Sequence, residues 1–146
     1  MPQIMPDTSQ ATDFKASVPN TYRMTIKSVE VVRSKEPNKK TGAYTNGIQP
    51  TFEFKAPRLS DKEERIVERR KWIAIDGKGT LTFDQLLRCT GHAQLADEIK
   101  ANPGRVAFDP DTLVGKEVNG VVVTTNYTDK NGNHQLQDDI DSFLPI

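Results

Sequence analysis

Tyr22-Arg23-Met24-Thr25-Ile26-Lys27-Ser28-Val29-Glu30-Val31-Val32 is the stretch from which the fold is read. Tyr22, Met24 and Ile26 alternate with Arg23, Thr25 and Lys27, the period-two pattern of a half-buried strand. After Ser28 the apolar positions move to Val29, Val31 and Val32, so the phase slips once. A slip inside one long strand predicts a β-bulge, the device by which a barrel strand bends.

Upstream, residues 1–17 carry two prolines and no sustained period, which predicts a mobile arm anchored at most by Phe14, with the domain spanning 18–146. Downstream, residues 33–47 are rich in turn formers. Ile48, Phe52 and Phe54 then mark a second strand, and Phe52 and Phe54 share a face that reads as core. Residues 56–65 form a charged connection, and a third strand over 66–75 carries Arg69-Arg70-Lys71-Trp72 in its middle. After the Asp76-Gly77-Lys78-Gly79 turn, residues 81–91 predict a short helix. Thr82 and Gln85 would form a capping box, Leu81 and Leu86 a staple, and Gly91 the left-handed stop. Leu95 and Ile99 suggest a second helical piece. A fourth strand over 117–127, an Asn131-Gly132 hairpin and a last strand over 134–144 complete the chain. The expectation is a mainly β chain: a five-stranded Greek-key barrel of the oligonucleotide-binding type (OB-fold), with a helical segment between strands 3 and 4.

The 146 residues suit one domain of ordinary size, 35% hydrophobic and 27% charged. No apolar run is long enough to span a bilayer and no basic-then-apolar leader opens the chain, so a soluble, unexported protein is expected. The single cysteine, Cys89, excludes an internal disulfide, and with two histidines it cannot build a structural zinc site unaided. The charges cancel, 20 Lys+Arg against 20 Asp+Glu, but unevenly along the chain. Residues 15–71 hold 14 basic and 7 acidic side chains, while residues 72–146 hold 6 and 11. Such asymmetry points to a polyanion partner for the basic part, with two solvated, oppositely charged surfaces as the plainer reading.

Motifs for other chemistry fail. Gly77-Lys78-Gly79-Thr80 lacks the earlier glycine of a phosphate loop. Asp129, Asn131 and Asn133 begin like a calcium loop, but His134 and Ile140 stand where Gly and Glu are required, so no metal is expected. Asn126-Tyr127-Thr128 is a sequon without use in an unexported chain. His92 and His134 are far apart with no nucleophile to activate, Cys89 reads as a packing residue, and neither an enzyme nor a cofactor is expected.

What remains is cations interleaved with aromatics, the pair of features with which proteins hold single-stranded nucleic acid. If Ile73 and Ile75 point inward, Arg70 and Trp72 point outward, and by the same alternation so do Arg23 and Lys27. The loop adds Lys35, Lys39, Lys40 and Tyr44, beside the second and third strands that carry ligands in this fold. Lys130 extends the phosphate set and Tyr127 the base set. Trp72 serves equally well as a plug at one barrel end or as a base platform.

Val18-Pro19-Asn20-Thr21-Tyr22, Ser34-Lys35 with Lys40-Thr41-Gly42, and Leu86-Leu87 with Gly91 resemble a phage family of single-stranded-DNA-binding OB-fold proteins. The likeness continues through Asp111-Thr112-Leu113-Val114-Gly115-Lys116-Glu117-Val118, Tyr127 with Asp129-Lys130-Asn131-Gly132, and Ile140 with Phe143-Leu144-Pro145, about residues 14–146 in all. It departs at Asn20, where the family commonly has Gly, near Asp138 or Asp139, where it commonly has Asn, and in the charged insert at 56–65. The resemblance implies a non-enzymatic helper that coats single-stranded DNA in replication or recombination, in the cytoplasm of a bacterial host. The alternative is a phage structural or protein-interaction module on the same barrel. The acidic ending from Asp138 to Ile146 also resembles the tail tip with which bacterial single-strand-binding proteins recruit replication or recombination partners; the plainer reading makes Ile140 and Phe143 part of the closing strand. Self-association is left open.

Overall fold

The computed structural model describes residues 3, 16–34, 37, 42, 44, 46–76, 80–128, 130–132 and 134–146. Phe14, Lys35, Lys39, Lys40, the glycines of the predicted turn at 77–79 and Asp129 lie outside them. Six strands form one antiparallel sheet: β1 (Asn20–Val31), β2 (Gly47–Pro57), β3 (Glu64–Arg70), β4 (Ile73–Ala74), β5 (Glu117–Thr128) and β6 (His134–Leu144). The order is β3-β2-β1-β5-β6, with β4 also on β2. Helices α1 (Leu81–Cys89) and α2 (Ala93–Ala101) and a 3-10 turn (Pro110–Leu113) lie between β4 and β5. The expected mainly β chain with a helical segment before the last hairpin is therefore present.

β1 organises the sheet. Its first half pairs with β5 and its second half with β2, and Thr25 faces a partner in each, Glu117 and Glu53. The register with β2 shifts between Ile26 and Ser28, the bulge that the sequence phase slip predicts. The inner faces enclose one core: Met24, Ile26, Ile48, Phe52, Phe54, Val118, Val122, Ile140 and Phe143 are buried together. Phe52 of β2 meets Phe143 of β6 at 5.2 Å between ring centroids, so sequence-distant strands share that interior.

β3 and β6, at opposite ends of the order, share no backbone ladder among the described residues, so the sheet is curled but not closed. Side chains cross the gap instead. Arg69 Nη2 donates to Gln137 Oε1 at 3.2 Å, and Lys71 Nζ lies 4.0 Å from Asp139 Oδ1. Ala16 and Ser17 belong to this arrangement rather than to an arm. Both are buried, Ser17 bridges to Arg58, and its N–H and Oγ–H donate to Asp138 at 2.6 and 2.7 Å. The fold therefore begins two residues earlier than the sequence suggests. A buried carboxylate held by two donors fastens this entry segment to β6.

Three other expectations are corrected. The third strand is interrupted at Lys71 and Trp72, which makes six strands of the expected five; β3 and β4 nevertheless keep one register with β2, Thr51 facing Arg70 and Ile48 facing Ile73. The capping box is absent. α1 is preceded by Thr80, which makes no side-chain cap, and Thr82 and Gln85 lie inside the helix. Burial of Phe83, Leu86 and Leu87 sets the helix phase, Leu81 is 79% exposed and cannot staple, and Gln85 Oε1 accepts from the Phe143 N–H at 2.8 Å. At the other end Gly91 does adopt a left-handed φ of 85°. Finally, the acidic ending is not a free tail up to Leu144: Ile140 and Phe143 are fully buried within β6, and Asp138 is taken by Ser17.

Replacing Phe143 by Ala should therefore lower unfolding free energy by about 3–5 kcal/mol in urea titration; an unchanged midpoint would return residues 138–146 to the role of a tail. Tyr22 donates to the Val18 carbonyl, and burial first, then the Asp138 carboxylate, push its hydroxyl pKa above the usual value. With the folded pKa raised, this contribution to stability is intact below the unfolded value of about 10 and is lost as pH rises beyond it. Urea midpoints should fall more steeply above that pH for the wild type than for Tyr22→Phe.

Candidate nucleic-acid interface

Along β3 and its continuation, side chains alternate. Ile73 is buried, while Arg70 is exposed and Trp72 is 37% exposed on the outer side. Gln49 and Thr51 of β2 flank them, and a polar depression of about 550 Å³ is lined by Gln49, Thr51, Glu68, Arg69 and Arg70. Trp72 is fixed rather than loose. Its Nε1–H donates to the Val32 carbonyl at 2.9 Å, and its ring lies so close over Gly47 that a Cβ there would stand 2.4 Å from Cε2. The ring is thus held on the outside of the sheet and does not plug the interior. One residue past Val32, the Arg33 guanidinium sits 4.5 Å from the centre of the Tyr44 ring. Trp72, Val32, Arg33 and Tyr44 consequently form a chain of contacts at the start of β2.

The other proposed cations are distributed unevenly. Arg23 donates to Glu117 Oε2, and Lys27 Nζ lies 3.8 Å from Glu53. Both are exposed, so these pairs are worth little to stability, but each glutamate offsets the charge that a phosphate would meet. Arg70 has no hydrogen bond or ion pair with any described residue. Glu53 faces Glu68 across β2 and β3, so carboxylates occupy the middle of the outer face and the cationic end is the one that holds Arg70, Trp72 and Arg33.

Tyr127 and Lys130 belong to the hairpin between β5 and β6 and are exposed there. The contacts from Arg69 to Gln137 and from Lys71 to Asp139 advance in the same direction, so Gln135, the partner of Tyr127, stands level with Val67. Five residues of strand, about 17 Å, then separate that level from Trp72. The structure brings Arg70, Trp72 and Tyr44 into one neighbourhood, puts Lys27 on the adjoining strand, and leaves Arg23, Tyr127 and Lys130 apart from them. Arg33, Gln49 and Thr51 were not singled out by the sequence reading. Arg33 lies next to the end of the first strand and beside a loop with Tyr44, a signal overshadowed by the loop lysines.

Elsewhere the chemistry is quiet. Among the described residues no group of three or more His, Cys, Asp or Glu is placed to hold a metal, and no helix is long and apolar enough to cross a membrane. Burial pushes the Cys89 thiol pKa up, which disfavours the thiolate, and His92 Nδ1 faces Thr90 Oγ1 at 3.0 Å. A second cavity, between α1 and α2, is lined by apolar side chains such as Phe83, Leu87 and Ile99, and among its described lining residues Lys100 is the one cation, alongside Asp76 and Asp84.

Gly47→Ala tests the seating of Trp72: the new methyl must displace the ring, so tryptophan emission should shift to longer wavelength while far-UV circular dichroism stays native. Unchanged emission would show that the ring does not rest on Gly47. No family model and no curated protein matches the chain, so the functional reading rests on this geometry.

Proposed function

We propose that this chain is a non-enzymatic single-stranded-DNA-binding protein that takes its ligand on the outer face of β2, β3 and β4. The observation that carries the reading is the pair Arg70, at the end of β3, and Trp72, two residues on in the break before β4: Arg70 is unpaired among the described residues, Trp72 is partly exposed, and its indole is held by Gly47 and Val32. An immobilised ring with accessible surface gives a base a stacking partner at little ordering cost, and an unpaired guanidinium beside it gives the adjoining phosphate a counter-charge. Arg33 and Tyr44 extend both functions toward the loop, and Gln49 and Thr51 supply neutral donors between.

The strand order supports a partly open OB-fold as the frame. β3 and β6 lie at the ends of the order β3-β2-β1-β5-β6, and they are brought together by side chains where a closed barrel would pair them. The resemblance of the sequence to phage single-strand-binding proteins agrees with a role in replication or recombination inside a bacterial host. Glutamates on the same face argue for modest affinity, because each partly cancels a cation.

Titration with oligothymidine at several salt concentrations tests this. Trp72 fluorescence should be quenched, and if three to five phosphates are neutralised, log affinity should fall with log salt at a slope of about −2 to −3.5. Trp72→Ala should weaken binding by about 1–3 kcal/mol. Unchanged fluorescence and no binding at low salt would overturn the reading and favour a protein-interaction module.

A further inference from the structure

Resting on that reading, we propose that the gap between β3 and β6 is a second line of phosphate contacts, in which Lys71, joined by Arg69, exchanges the Asp139 carboxylate for the phosphates of the bound strand. Arg69-Arg70-Lys71-Trp72 alternates about the sheet: Arg70 and Trp72 face outward, and Arg69 and Lys71 reach toward β6. The two inward cations therefore sit one and three residues from the proposed base platform, Trp72.

Their present partners satisfy them poorly. Arg69 meets the neutral amide of Gln137, and no carboxylate of a described residue lies within ion-pair distance of it. Among the described residues Lys71 has one carboxylate, Asp139, at the 4.0 Å limit of an ion pair. In that pair the Lys71 side chain is 20% exposed and the Asp139 side chain 46%, so Asp139 is the more accessible member. Among the described residues no backbone ladder joins β3 to β6, so the two strands meet here through side chains alone. Among the described residues these three consecutive cations have one ion-paired carboxylate, Asp139, with Glu68 beside Arg69 and Arg70 in the outer depression, and a polyanion relieves the remaining positive charge better than Asp139 does. Asp139 thus occupies the seat of a phosphate in the free protein.

A double-mutant cycle read by oligothymidine titration tests the exchange. Asp139→Asn should tighten binding about two- to fivefold at low salt, by removing an exposed competitor. Lys71→Gln, which removes the charge and keeps a polar side chain one atom shorter, should weaken binding and flatten the salt slope by about 0.7. In the Lys71→Gln background the gain from Asp139→Asn should vanish, whereas Asp141→Asn, on the same strand, should show no dependence on Lys71. Thermal melts verify that each variant is folded. A gain from Asp139→Asn that persists without Lys71, or an unaltered slope in Lys71→Gln, overturns the exchange while leaving the outer-face site standing, provided the wild type binds and quenches Trp72. A wild type that does not bind overturns both.

Discussion

β1 must satisfy two partners with one backbone, and the rest of the molecule follows from how it does so. A straight strand could carry β2 and β5 along opposite edges of a flat sheet. Here the partners overlap only at Thr25, and the bulge between Ile26 and Ser28 turns the strand just beyond that point. Increased local twist at a bulge bends the sheet around its apolar face. That bend lets Phe52 of β2 and Phe143 of β6 meet in one core. It also brings the free edges of β3 and β6 within side-chain reach, where Arg69, Lys71 and the Ser17 contact to Asp138 span them.

Curvature gives the outer face its character. On a convex surface, neighbouring side chains diverge, and an exposed indole needs a support if it is to hold one orientation. Gly47 supplies it by having no side chain, and the Val32 carbonyl fixes the ring's polar edge. The proposed platform therefore depends on the start of β2 lying flat beneath Trp72, which the unbroken register of β2 with β3 and β4 ensures. The same register sets Glu53 opposite Glu68, so the face is cationic only toward the end that bears Arg70 and Arg33.

Much of this was legible in the sequence because it is written in period two. The slip at Ser28, the outward phase of Arg70 and Trp72, the buried phase of Ile73, Phe52 and Phe54, and the span of the last strand all follow from alternation within one segment. What escaped depends on which strands meet. Arg23 and Lys27 read as free cations until the partner strands place Glu117 and Glu53 beside them. The acidic ending resembled a tail because its charges are conspicuous, yet Asp138 is drawn inside by Ser17, 121 positions away, a pairing that no local pattern encodes. Thr82 and Gln85 fit a capping rule, but burial of Phe83, Leu86 and Leu87 outweighs a cap worth about 1 kcal/mol and starts the helix earlier.

The most direct test of the central claim is backbone and indole chemical-shift mapping as oligothymidine is added to the protein. The account predicts that the largest shifts fall on the Trp72 indole N–H, Arg70, Gln49 and Thr51, with Arg33 and Tyr44 following, and that α1 and α2 stay still. Shifts confined to the helical face, or none at all at low salt, would contradict it.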